Sequence, residues 1–123
     1  MNEILLYLAS GLTFTWGVSH LIPTKNVVRG FGAISKDNQR IITMEWIVEG
    51  VTLIFLGALT AIVTFTDPQA LMAVVVYIAV IALLLVLAIV SLFTGFKVQF
   101  LPFKLCPFIF SLSAVLVLLG MVT

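Results

Sequence analysis

Charge is what this sequence has least of. Only 9% of its 123 residues are Asp, Glu, Lys or Arg, while 63% are hydrophobic and the mean hydropathy is +1.31. Soluble domains carry about 25% charged residues, so a water-soluble globular domain is excluded and a single-domain integral membrane protein is predicted. Cysteine occurs once, at Cys106, which excludes an internal disulfide and any cysteine-based zinc or iron–sulfur centre and leaves the redox compartment unreadable. Histidine also occurs once, at His20, so paired-histidine haem ligation is excluded as well. A glycine-rich phosphate loop, a dinucleotide fingerprint and a basic stripe with interleaved aromatics are all missing, and a net charge of +1 implies nothing about nucleic acid. The start has no basic leader segment, so its first apolar run is expected to be retained as a span.

What is there is apolar and helical in length. Four segments, near 3–22, 41–65, 69–94 and 102–122, can each cross a hydrocarbon core about 30 Å thick. The predicted fold is all-α: an integral membrane four-helix bundle of antiparallel up-down topology, one domain spanning 1–123. Every lysine and arginine falls at two connections, Lys25, Arg29, Lys36 and Arg40 in loop 23–40, and Lys97 and Lys104 at the junction of the third and fourth spans. By the positive-inside rule both connections are cytoplasmic and both termini lie on the non-cytoplasmic side. The expected location is the cytoplasmic membrane of a prokaryote. Within loop 23–40, Val27, Val28, Phe31 and Ile34 recur at helix-like intervals, predicting a short interfacial helix with Gly30 and Gly32 as hinges. Ser35 reads as a helix cap, Asp67-Pro68 as the start of the third span, and Thr94-Gly95 as its stop through a left-handed glycine.

The segment IITMEWIVEGVTLIFL, residues 41–56, carries Glu45 and Glu49 inside an apolar run. Four residues apart, the two carboxylates lie one turn above each other on one helix face, shared with Asn38, Ile42, Thr52 and Leu56. A charged side chain near the bilayer centre costs roughly 2.5–3.5 kcal/mol on insertion scales, so such groups normally face protein or water. The first span bears a matching stripe of Thr13, Trp16, Gly17 and His20. Counting inward from the loop at about 1.5 Å per residue, His20 comes level with Glu45 and Trp16 with Glu49. Cys106 enters from the last span at a comparable depth. Glu45, Glu49, His20 and Trp16 are therefore the leading candidates for a ligand-binding or proton-relaying pocket, with Cys106, Thr52, Thr13 and Asn38 as further candidates.

Each of these has a plainer reading. Tryptophan and histidine near helix ends serve as headgroup anchors, a lone membrane cysteine is usually a small hydrophobe, and a neutral Glu49 can simply tie two helices together. Metal binding is disfavoured on count, because di-iron bundles use a Glu-x-x-His pair from each of two helices and this chain has one histidine and a Glu-x-x-x-Glu. Ser19 adjoins His20 in sequence, but neighbouring helix residues diverge too far to form a catalytic dyad. Two close, desolvated glutamates sharing a proton, with His20 as relay, are physically reasonable. So is a polar cluster that holds the carbonyl head of a quinone against Trp16.

The ending GVSHLIPT of the first span, followed by EGVTLIFLGAL in the second, resembles the DoxX-like group of small four-helix membrane proteins. The matching positions are Gly17, His20, Pro23, Glu49, Gly50 and Gly57. Some members of that group are similar to membrane subunits of sulfur-compound:quinone oxidoreductases or take part in redox-stress assemblies, so the resemblance implies a redox-linked subunit with a quinone-like ligand. Glu45 and the long basic loop lie outside the pattern. Two further classes stay open: an oligomeric small transporter or channel, and a structural subunit of a larger membrane complex. Enzyme status is not assigned. The partners expected are the lipid bilayer and either further copies of this chain or other membrane subunits.

Overall fold

The computed structural model describes residues 1–123 and contains helices without strands. In chain order these are α1 (Glu3–Leu21), α2 (Thr24–Gly30), α3 (Lys36–Thr66), α4 (Leu71–Phe93) and α5 (Leu101–Val122), with one 3₁₀ turn at Gly95–Lys97. Of these, α1, α3, α4 and α5 are long and apolar enough to cross a membrane. The outer surface agrees with that reading, since Phe65 is 82%, Ile22 79% and Leu71 77% exposed among many other large apolar side chains. A soluble protein does not present so continuous an apolar surface to water. Helices that satisfy their own backbone groups are the form such a chain takes in lipid.

Helix starts follow local hydrogen-bonding chemistry. Asn2 caps α1 by accepting from the Leu5 amide at 3.4 Å, and Ser35 caps α3 by accepting from the Asn38 amide at 3.2 Å. With this cap α3 begins at Lys36, five residues before the expected span, and its 31 residues make it about 46 Å long. It therefore projects past the end of α1, and the short α2 covers the projecting part. Gly32, at φ +74°, takes the left-handed conformation that ends α2.

Two expected boundaries are corrected. Pro68 is not the first residue of a helix: the Asp67 carboxylate accepts from the Gln69 amide at 3.0 Å and its carbonyl from the Ala70 amide at 3.2 Å, so 67–70 is a tight turn and α4 starts at Leu71. Gly95 is not a left-handed stop, since Gly32 is the one glycine with positive φ. It opens the 3₁₀ turn, and Phe103 packs over it.

The tightest packing is between α1 and α3. A Cβ at Gly17 would lie 2.7 Å from the Ile54 nitrogen, and one at Gly57 would lie 2.7 Å from both the Phe14 nitrogen and the Ser10 carbonyl oxygen. The backbones thus approach as closely as glycine permits. The Ser10 hydroxyl donates to the Gly57 carbonyl at 2.7 Å across this seam. At the other edge of α1, the Asn2 amide donates to the Gly120 carbonyl of α5 at 2.7 Å, and Leu6 packs on Gly120. The α5 helix in turn packs along α4. Leu6, Leu53, Tyr77, Leu84, Phe110 and Val117 form the centre of the core.

By contrast α3 and α4, although consecutive spans, touch little. Their hydrogen bond lies beside the turn that joins them, where the Thr64 hydroxyl and Tyr77 phenol are 2.9 Å apart. Thr64 already gives its proton to the Thr60 carbonyl at 2.7 Å, so Tyr77 is the donor. Tyr77→Phe is expected to reduce stability by about 0.6 kcal/mol, the average for one such bond in a membrane protein, and by no more than about 1.7 kcal/mol, measured as a shift in thermal unfolding in detergent. No shift would show that the hydroxyl pair does not hold the two helices together.

Candidate functional site

The ends of α3 and α4 away from that hydrogen bond are separated by a cleft, and the chain's unusual side chains gather there. Its floor is built by the last turn of α1. The final carbonyls of a helix lack partners within it, and the His20 carbonyl takes one from α3: the Trp46 indole N–H donates to it at 2.7 Å. That bond lays the two rings on each other, with centroids 3.8 Å apart and planes 16° from parallel. Phe103, from the first turns of α5, lies tilted against Trp46, with centroids 5.4 Å apart and planes at 59°. Three aromatic rings from three helices, one pair stacked and one tilted, thus fix the imidazole.

Held in this way, His20 is 8% exposed, and its Nε2 lies 3.4 Å from Glu49 Oε2. The distance is within ion-pair range, yet Nε2 has no aligned hydrogen bond and is a buried polar atom without a partner. Charge-assisted bonds between nitrogen and carboxylate run about 2.7–2.9 Å and are well aligned. The imidazole therefore does not satisfy the carboxylate. The Glu49 side chain, 38% exposed, keeps room for another partner.

Three hollows meet around this pair. The first, of about 370 Å³, lies between α3, α4 and α5 and is lined by His20, Glu49, Ser91, Thr94, Phe103 and Cys106 together with apolar side chains of α4. A second, of about 470 Å³, lies under α2 and shares Glu49, Leu87 and Phe103 with the first, adding Glu45, Trp46 and Thr52. The third, of about 190 Å³, is bounded by Trp16, His20, Trp46 and Cys106. Although all six basic residues lie toward this end of the sequence pattern's loops, none lines any of the three hollows. The titratable lining consists of Glu45, Glu49, His20 and Cys106.

The residues singled out from sequence are distributed unevenly over this site. His20 meets Glu49, not Glu45, one turn deeper than the counted register. The count started both helices level at the loop, whereas α3 projects beyond α1. Glu45 is exposed at the rim under α2. Trp16 lies in the third hollow, which neither acid lines, with its own indole nitrogen unpartnered. Cys106 borders the first and third hollows and donates to the Pro102 carbonyl at 3.4 Å. Thr52 lines the second hollow, while its hydroxyl bonds the Val48 carbonyl at 2.7 Å. Thr13 is buried against its own helix, bonding Ala9 at 2.9 Å, and Asn38 is exposed at the capped start of α3; neither reaches the site. Trp46, Phe103, Ser91 and Thr94 were not among the expected residues. Trp46 had a readable signal, standing three residues before Glu49 on the same face. Ser91 and Thr94, at the end of a uniformly apolar helix, had none.

No protein-family model, characterised protein or solved structure significantly matches this chain. The resemblance to DoxX-like proteins rests on the quoted residues alone, and the site has to be read from its chemistry.

Proposed function

We propose that this protein is a small membrane-embedded binding protein whose cleft between α3 and α4 takes a lipophilic molecule by its polar head, with the His20–Glu49 pair as the polar contact and the point where a proton can be exchanged. The observation that carries this reading is a buried imidazole nitrogen left without a hydrogen bond beside a carboxylate, at the edge of a roughly 370 Å³ hollow. Buried polar atoms normally find partners, and the Glu49 carboxylate beside this one is 38% exposed and open to a partner from outside the chain. Flat aromatic walls and an apolar surround suit a ring or chain that arrives through the bilayer rather than from water. In this reading the basic connections face the cytoplasm, the helices run up and down with both termini outside, and the cleft opens toward the cytoplasmic leaflet.

Filling the hollow tests the proposal. Ser91 borders it from α4, and Ser91→Phe adds a ring there without altering either acid. The expected outcome is loss of co-purifying small molecules detected by native mass spectrometry, with the same helical content as the unaltered protein. Retention of the same molecules would remove the hollow from consideration as a binding site.

A further inference from the structure

The polar side chains that line the proposed cleft narrow its ligand class. In the first two hollows the hydroxyl, indole and thiol donors are already committed. Ser91 donates to the Leu87 carbonyl at 2.6 Å, Thr94 to Val90 at 2.6 Å, Thr52 to Val48 at 2.7 Å, the Trp46 indole to His20 at 2.7 Å, and the Cys106 thiol to Pro102 at 3.4 Å. What remains is acceptor capacity. A hydroxyl whose proton is used within its helix still offers an oxygen lone pair, so Ser91 and Thr94 present acceptors to the first hollow. Glu49 adds a carboxylate that His20 does not satisfy, and Glu45 adds another at the rim. The lining contains no lysine or arginine. The uncommitted side-chain nitrogens there belong to the one imidazole, His20, whose Nε2 is buried.

Resting on the binding reading above, we infer that the head group taken in this cleft is a protonated amine carried on an apolar body, a lipophilic ammonium. Such a head brings several N–H donors and a positive charge to a wall of acceptors, and Glu49 is its counter-ion. Phe103 lines both hollows, and an aromatic ring favours a nearby cation over a neutral group of the same size. A carbonyl head, as in a quinone, finds one candidate donor and leaves the carboxylate beside it unpaired. An anionic head meets two acids and no fixed cation. The complementarity of charge and hydrogen bonding therefore selects the cation.

The test uses the full chain in lipid nanodiscs and equilibrium dialysis, with empty nanodiscs subtracted. The probes are naphthylethylamine at neutral pH, its neutral isostere naphthylethanol, and a decyl-substituted benzoquinone. The expected result is that the ammonium binds at least about tenfold more tightly than the alcohol and that Glu49→Gln removes this preference, in line with one charge-assisted contact. Thr94→Val, which keeps the shape and removes one acceptor, is expected to weaken the ammonium several-fold and leave the alcohol unchanged; it decides the matter where Glu49→Gln fails to fold. Equal binding of ammonium and alcohol, or an ammonium affinity indifferent to both substitutions, overturns the inference. Saturable binding of the quinone without the ammonium overturns the ligand class but leaves the cleft as a binding site. Failure of all three probes to exceed empty nanodiscs overturns both.

Discussion

Replacing Gly57 with leucine is expected to lower stability by about 3 kcal/mol, the upper part of the range for overpacking a tight interface. The position allows no easy relief. A Cβ there would stand 2.7 Å from two backbone atoms of α1, the Phe14 nitrogen and the Ser10 oxygen, and backbone in mid-helix cannot rotate away as a side chain can. The helices must separate, and the Ser10–Gly57 hydrogen bond of 2.7 Å is lost as they do. Thermal unfolding in detergent, followed by helical signal, reads the effect. Gly11→Leu is the control, because nothing lies within 4 Å of a Cβ at Gly11. If both variants melt like the unaltered protein, α1 and α3 do not pack through their glycines.

Trp46→Ala is expected to produce a loss of similar size, about 3–5 kcal/mol for deleting a packed tryptophan, and in addition to release the imidazole. Three contacts go together: the stack on His20 at 3.8 Å, the edge on Phe103 at 5.4 Å and the indole bond to the His20 carbonyl at 2.7 Å. Trp46→Phe separates them. It keeps a ring on the imidazole and gives up the hydrogen bond, so its expected loss is near 1 kcal/mol. Resonances of the single histidine report the release directly, since the indole's ring current acts on them only while the rings are stacked. A histidine signal unchanged in Trp46→Ala would contradict the stack.

The two substitutions also mark what could and could not be read from the residues in order. Spans are legible because crossing lipid demands about twenty apolar residues in a row, and four such runs are present. The Ser35 cap announced a start. The register of α1 on α3 was not legible. It depends on how far α3 projects beyond the end of α1, and that is set by the path of loop 23–40 and the seat of α2, which no periodicity encodes. One turn of error moved His20 from Glu45 to Glu49. The face that Trp46 shares with Glu49 is legible, but its role is not, because it comes from His20 on another helix. The α4 helix, uniform in composition, shows no favoured face in sequence. Only its divergence from α3 beyond the Thr64–Tyr77 bond turns Ser91 and Thr94 toward a cleft.

The central claim, that an imidazole and a carboxylate face each other inside the bundle, can be measured directly. His20 is the sole histidine, so nitrogen-15 in its ring needs no assignment, and Glu45→Gln with Glu3→Gln leaves Glu49 as the sole carbon-13-labelled glutamate side chain. Solid-state NMR dipolar recoupling in lipid between the Nε2 and the Glu49 carboxyl carbon is expected to give strong dephasing, as the 3.4 Å separation of Nε2 and Oε2 requires. Absence of dephasing, with the helices otherwise intact, would place the two groups on different sides of the bundle and contradict the account.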